Sequence, residues 1–298
     1  MKFVATLIAN PEKANLHPRD VKQAREILKR AGYTLEHSAW LKDCIACDIE
    51  FTGSNLSYVR NCLRIGLNSL EIDVVVQPTK NRRKRVLIAD MDSTIVTGET
   101  LDELAEIAGL KNQVSIITER AMRGEVDFKD AVRERVALLK GVSAKDMKDA
   151  LNKIEVTSGA PTLVKTMRFN GAYTALVSGG FSYFTSAIAK LVGFQEEISN
   201  QIVIQNGILT GEVIEPILDS DSKLQALKKI CNEKHIPLSE SIATGDGAND
   251  IPMIIHSGLG VAFHAKPAVE TNAKAIIRFG DLTSLLYIQG YKSTEFCY

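Results

Sequence analysis

Two aspartates one residue apart, Asp90 and Asp92, end the apolar run Val86-Leu87-Ile88-Ala89 and are followed at once by the hydroxyls of Ser93 and Thr94. A carboxylate pair so spaced can bind a hard cation, attack an electrophilic centre or carry a proton. On these residues alone it can equally open a solvated turn. Two later stretches end in the same manner: Ala175-Leu176-Val177 runs into Ser178-Gly179-Gly180-Phe181, and Ile242-Ala243-Thr244 runs into Gly245-Asp246-Gly247-Ala248-Asn249-Asp250. Between them Lys223 stands in the first turn of a helix over 222–233, where the dipole disfavours a cation unless an anion lies beside it.

Apolar runs of this length read as strands of a parallel sheet, which deliver their carboxyl ends to the crevice where ligands bind. The elements around them fit that arrangement. Pro161 starts a helix that ends near Asn170-Gly171, Tyr173–Val177 is a strand, and Ser178-Gly179-Gly180 leads into a helix. Ile202–Leu209, centred on Asn206-Gly207, predicts a tight hairpin. Gly260–Phe263 and Ala275–Arg278 read as further strands with a helix from Val269 between them.

An all-helical segment separates the first stretch from the second. Thr100-Leu101-Asp102-Glu103 has capping-box spacing and opens a helix that Gly109 ends. Further helices run through Met122, from about Asp127 to Lys140, and from a Ser143 cap with Met147, Ala150, Leu151 and Ile154 inward. At 100° per residue, Phe128, Val132, Arg135 and Leu139 fall within about 60° of one another, so an arginine lies in an apolar stripe. It needs a partner, either an acidic neighbour or a ligand carboxylate, for which a planar fork of donors is suited.

Residues 1–80 read as a strand over Lys2–Ala9 and a helix after Pro18 carrying Val21, Ala24, Ile27, Leu28 and Ala31 and closed by Gly32. Strands Leu35–Trp40 and Cys44–Thr52 follow, then a helix capped by Asn55 with Leu56, Val59, Cys62 and Leu63, and a strand Ile72–Val76. This is the ferredoxin-like order. The chain therefore divides into an α+β domain over 1–80 and an α/β core over 81–298, with the helical insert at about 100–158. Asn81-Arg82-Arg83-Lys84-Arg85 at the junction reads as a solvated linker in preference to a nucleic-acid patch.

Thirty-six basic residues balance thirty-six acidic ones, leaving no net field to recruit nucleic acid or an anionic membrane. No apolar run is long enough to span a bilayer, and Met1–Ile8 lacks the long apolar region and cleavage site of a signal peptide. A soluble, cytoplasmic protein is expected. Five cysteines, an odd number, fit unpaired thiols in a reducing compartment. Cys44 and Cys47 have no second pair, and within one strand they would face opposite sides, which favours filler thiols over a metal or redox site.

The order Asp90-x-Asp92-x-Thr94, Ser178, Lys223 and Gly245-Asp246-x-x-x-Asp250 resembles the haloacid dehalogenase (HAD) superfamily of phosphotransferases. The fuller strings Asp-x-Asp-Ser-Thr, Val-Ser-Gly-Gly-Phe and Gly-Asp-Gly-Ala-Asn-Asp are similar to those of its members that act on phosphoserine. The likeness covers roughly 82–290. Residues 1–80 resemble, at the level of fold only, the ACT-like modules that sense amino acids or dimerise biosynthetic enzymes. A stabilising or homodimer-forming role is favoured there over serine sensing.

The resemblance implies a Rossmann-like doubly wound parallel sheet with an inserted helical cap. It also implies Mg2+-dependent hydrolysis of the small molecule O-phospho-L-serine to L-serine and phosphate, through an aspartyl-phosphate, as the last step of serine biosynthesis. Asp90 would be the nucleophile and Asp92 the proton donor and then acceptor. Asp90, Asp246 and the backbone carbonyl of Asp92 would hold the metal, with Asp250 orienting Lys223 or a bound water from behind. Ser178, the Gly179 amide, Lys223 and Asn249 would bind phosphoryl oxygens. Glu99 matches the residue that meets the substrate ammonium, Arg135 the one that meets its carboxylate, and Met122 and Phe128 the apolar cap contacts. Two other readings stand beside this one. The first is transfer of the phosphoryl group to another alcohol such as homoserine; the second is a regulatory protein with an inert core, against which the complete acidic set argues.

Overall fold

The computed structural model describes residues 1–298, except Gly124 and the side chain of Met122. Two sheets organise the chain. The first is antiparallel, with strands β1 (Lys2–Ala9), β2 (Thr34–Lys42), β3 (Ala46–Thr52) and β4 (Ile72–Pro78) in the order β2-β3-β1-β4. Its helices are α1 (Pro18–Arg30) and α2 (Leu56–Gly66). Strand alternation sorts the side chains: Phe3, Ala5 and Leu7 pack with Val21, Leu28, Val59 and Leu63, whereas Ile8, Ala46 and Val75 join the core of the rest of the chain. Asn55 caps α2 by accepting from the Tyr58 N–H at 3.1 Å. Cys44 falls in the β2–β3 turn at φ +59°, not in the expected strand, so it is exposed while Cys47 is buried.

The second sheet contains β5 (Val86–Ala89), β6 (Tyr173–Phe181), β7 (Glu196–Gln205), β8 (Ile208–Ile214), β9 (Ser241–Gly245), β10 (Leu259–Phe263) and β11 (Ala275–Ile277) in the order β11-β10-β9-β5-β6-β7-β8. Every neighbouring pair is parallel except the β7–β8 hairpin, which turns through Asn206 and Gly207, both at positive φ. The organising strand β5 is central, Ala89 standing opposite Leu176 on one side and Thr244 on the other.

The insert comprises α3 (Thr100–Ile107), α4 (Lys111–Met122), α5 (Phe128–Leu138) and α6 (Ala144–Lys153). It is tied to the core by two antiparallel bridges: Val96 with Val156, flanked by Thr97 N–H to the Glu155 carbonyl and Thr157 N–H to that of Ile95, and Ser143 with Ile208 of the β7–β8 hairpin. Ser143 and Asp146 form the expected reciprocal cap of α6. Thr100 does not cap α3: Glu99 precedes the helix, and the Thr100 N–H donates to Asp92 Oδ1 at 2.7 Å. A carboxylate from the end of β5 thus fills the place of the expected capping box.

The core helices are α7 (Ala160–Phe169), α8 (Ser182–Val192), α9 (Ser220–Glu233), α10 (Ile251–His256), α11 (Pro267–Glu270) and α12 (Ser284–Tyr287). Val86 and Ile88 pack with Leu227, Ile230 and Met253, while Leu87 and Ala89 share a core with Leu163, Met167, Phe184 and Leu285. Both faces of β5 are therefore covered, as a doubly wound sheet requires. The helix expected from Val269 is the single turn α11, because the Lys274 N–H already donates to the Gly260 carbonyl on the way into β11.

The junction is not a solvated linker. Arg82 donates to Asp48 at 2.7 Å and to the Ile288 carbonyl at 3.2 Å, joining the first sheet to the end of α12. Arg83 pairs with Glu295 and lies over the Tyr291 ring, Lys84 donates to the Ser239 carbonyl, and Arg85 pairs with Glu240. Four cations close together suggest solvation locally, but each has an acceptor distant in sequence.

Candidate active site

Each site residue sits where a strand of the second sheet stops. The Asp90 N–H still bonds to the Thr244 carbonyl at 3.0 Å, which holds its backbone in the sheet. Ser93 then takes φ +54°, and Asp92 accepts from the Thr100 N–H through Oδ1 and from Ser178 Oγ, at 3.3 Å, through Oδ2. Next to it, β6 breaks register: Val177 pairs with Ile198 and Phe181 with Asn200, so Ser178-Gly179-Gly180 bulge out opposite Ser199 alone. A bulge of this kind re-aims side chains out of the ladder. The Gly180 N–H donates back to Ser178 Oγ at 2.8 Å. A Cβ on Gly180 would stand 3.2 Å from Asp92 Oδ2, closer than ordinary packing allows.

Helix α9 opens with Asp219 accepting from the Ser222 N–H, which puts Lys223 in the first turn. Its ammonium lies 2.6 Å from the carboxylates of both Asp90 and Asp250. The second oxygen of Asp250 accepts from the Gly247 N–H at 3.0 Å, and any side chain on Gly245 would overlap Asp250. Carboxylate oxygens of Asp90, Asp246 and Asp250 all lie within 4.8 Å of one another, and all three residues are buried. Thr94 Oγ1 donates to Asp246 at 3.4 Å.

The charges do not balance. Burial raises the Asp90 carboxyl well above the ordinary range; Lys223 pulls against this, and Asp250 and Asp92 add to it. Burial, with Glu99 nearby, brings Asp92 up to about 6 despite the Thr100 hydrogen bond. Burial, with Asp250 and Glu99, brings Asp246 to about 6 as well. Burial disfavours the Lys223 charge, but Asp90 and Asp250 outweigh it and hold the ammonium protonated beyond its usual limit. A buried, all-oxygen donor set short of positive charge fits a hard divalent cation.

The insert covers this point. Phe128 Cζ reaches within 4.0 Å of where a Gly179 side chain would begin, and Glu99 accepts from Ser93 Oγ at 2.9 Å. Arg135 is half-buried; its Nε donates to the Ala131 carbonyl at 3.2 Å, and among the described residues no carboxylate pairs with it. Burial lowers its guanidinium below the ordinary value against the pull of Asp102 and Glu99. Asn249 is half-buried with its carboxamide against Gly247. The Met122 side chain lies outside the described residues.

The structure thus gathers Asp90, Asp92, Ser178, Gly179, Lys223, Asp246, Asn249 and Asp250 at one end of the sheet, with Glu99, Phe128 and Arg135 toward the insert. The Asp92 side chain is turned toward Thr100 and Ser178, outside the acidic trio, and Asp250 stands in that trio while also binding Lys223. Sequence reasoning overlooked Thr94 as a support for Asp246 and Asn200 as a partner of the Gly179 carbonyl. The Asp-x-Asp-x-Thr string held the signal for Thr94; a lone asparagine in a strand holds none.

Acids and a lysine at the strand ends of a doubly wound sheet, under a helical insert, define an α/β enzyme built for phosphoryl chemistry. Residues 87–254 match the haloacid dehalogenase-like hydrolase family, and the chain belongs to it. It is 36% identical to the phosphoserine phosphatase of Saccharomyces cerevisiae over 99% of this chain and 98% of that one. It is 42% identical to the phosphoserine phosphatase of Archaeoglobus fulgidus over 76% of this chain and 67% of that one. A solved phospho-aspartyl intermediate analogue of phosphoserine phosphatase superposes with a TM-score of 0.64 at 36% identity, covering 69% of this chain and 98% of that one.

Proposed function

We propose that the protein is a phosphatase that hydrolyses O-phospho-L-serine to L-serine and phosphate, the closing step of serine biosynthesis. One observation carries this reading: residues from four separate stretches, Asp90, Asp92 with Ser178, Lys223 and Asp246, converge on one buried point. The similar enzymes named above support the choice of substrate.

In this mechanism Asp90 attacks phosphorus in line and becomes the aspartyl-phosphate. Asp92 gives its proton to the departing seryl oxygen and later takes one from the water that cleaves the intermediate. A carboxyl with its pKa raised to about 6 suits both duties near neutral pH. Ser178, the Gly179 amide, Lys223 and Asn249 hold the phosphoryl oxygens, with donors fixed before the charge develops. Asp90, Asp246 and the Asp92 carbonyl, with Asp250 beside them, would hold Mg2+, which when bound would supply the positive charge that lets an anionic nucleophile approach a phosphate dianion.

Glu99 takes the substrate ammonium and Arg135 its carboxylate, with Met122 and Phe128 as apolar walls. The absence of an ion pair at Arg135 among the described residues supports this assignment. The module over 1–80 is read as a stabilising appendage of the core at 81–298, supported by the face of its sheet that shares the second sheet's core. No nucleic-acid partner is assigned, since the junction cations all have internal acceptors. Among the described residues no helix is long and apolar enough to cross a membrane, and all five cysteines are unpaired, which favours the cytoplasm.

The test is phosphate release from O-phospho-L-serine, other phosphomonoesters and O-phospho-L-serine plus homoserine, each with and without Mg2+. Metal-dependent turnover strongest on phosphoserine, with serine and free phosphate as products, is expected. No release from phosphoserine, or phosphohomoserine as the main product, overturns the reading.

A further inference from the structure

We infer that Asn200 is a positioning residue that sets the Ser178 hydroxyl, and through it Asp92, by holding the Gly179 carbonyl of the β6 bulge in place. It sits on β7 with 1% of its surface exposed, directly opposite Phe181, where the ladder resumes. Its Nδ2 donates to the Gly179 carbonyl at 2.8 Å. Its Oδ1 accepts from the Leu218 N–H, also at 2.8 Å. One end meets a carbonyl and the other an N–H, so the opposite amide orientation would set like against like at both ends.

The Gly179 carbonyl and the Gly180 N–H belong to a single peptide plane. Asn200 fixes the carbonyl end, and the N–H end donates to Ser178 Oγ at 2.8 Å. With one lone pair of that hydroxyl so occupied, its oxygen is fixed 3.3 Å from Asp92 Oδ2, and rotation about the Cβ–Oγ bond aims its one proton at that carboxyl or at a phosphoryl oxygen. Rotation of this plane would release the hydroxyl from the Gly180 N–H, and glycines at 179 and 180 offer no side-chain barrier to that rotation. Asn200 supplies the barrier. Its second contact, at Leu218, lies one residue before the Asp219 cap of α9, so the same side chain also ties the bulge to the helix that carries Lys223.

This inference rests on the phosphoserine reading, and the experiment separates the two. Steady-state hydrolysis of O-phospho-L-serine with Mg2+ is measured for the wild type, Asn200→Asp, Ser178→Ala and the double variant, each checked for folding by a thermal melt. Asn200→Asp keeps the acceptor for Leu218 but sets a carboxylate against the Gly179 carbonyl. A misplacement of this size lowers kcat by about 10- to 100-fold. KM stays within about 3-fold, because Glu99 and Arg135 are untouched. In the Ser178→Ala background the same change costs less than about 2-fold, since the group it positions is gone.

A kcat unchanged in Asn200→Asp, or losses that multiply in full in the double variant, overturns the inference while leaving the substrate reading intact. Absence of turnover in the wild type fails the substrate reading instead. Asn200→Ser, smaller and uncharged, carries the same test if the aspartate variant does not fold. Failure of both to fold marks Asn200 as a folding residue and also overturns the inference.

Discussion

Lys223 holds its ammonium 2.6 Å from the Asp90 carboxylate, and both groups are almost wholly removed from solvent. A buried cation this close can neutralise a charged nucleophile or a phosphoryl oxygen beside it, and Asp250 on its other side keeps it from following either one. The pair explains why a cation stands in the first turn of α9, against the dipole.

Replacing Lys223 by Met should therefore lower kcat/KM for phosphoserine by about 100- to 1000-fold, the usual effect of removing one fixed donor from developing charge. Steady-state phosphate release measures it; a loss below tenfold would show that the lysine is structural.

Asp90, Asp92 and Asp246 all have carboxyls raised by burial in the metal-free protein, the last two to about 6. Between the ordinary carboxylate range near pH 4 and about pH 6 the folded chain keeps protons that the unfolded chain has released, so metal-free stability falls as pH rises through that interval. Metal needs the deprotonated acids, so Mg2+ should raise the melting temperature more at pH 8 than at pH 5. Thermal melts with Mg2+ and with a chelator decide this. An equal shift at both pH values counts against an acidic metal site.

Arg135→Ala should raise KM for phosphoserine by about 10- to 100-fold, the worth of a hydrogen-bonded charge pair with the carboxylate. Turnover of an aryl phosphate, which has no carboxylate, should change by less than about 3-fold. Equal losses on both substrates would reject the assignment.

Arg82 and Asp48 form a buried pair that joins the first sheet to the end of α12, and Asp48 is only 7% exposed. Arg82→Ala leaves that carboxylate, among the described residues, with the Thr6 hydroxyl alone and should destabilise the protein by about 3 kcal/mol. Denaturant melts measure the loss; a change below about 0.5 kcal/mol, the level of an exposed pair, would refute the coupling.

The sequence alone determined that apolar runs at 86–89, 175–177 and 242–244 are strands ending in small and polar residues, that helices follow the first of them in the insert, and that the first 80 residues have ferredoxin-like order. Period-two and helical patterns, caps and the Asn206-Gly207 turn are local, and local residues carry them. Tertiary structure decided the fate of the cations at 82–85, the exchange of the Thr100 cap for Asp92, and the place of Asn200 beside the bulge. In each case a polar group is satisfied by a partner brought near only by folding. A hydrogen bond between residues 8, 21 or 206 positions apart leaves no periodic trace in the sequence that forms it.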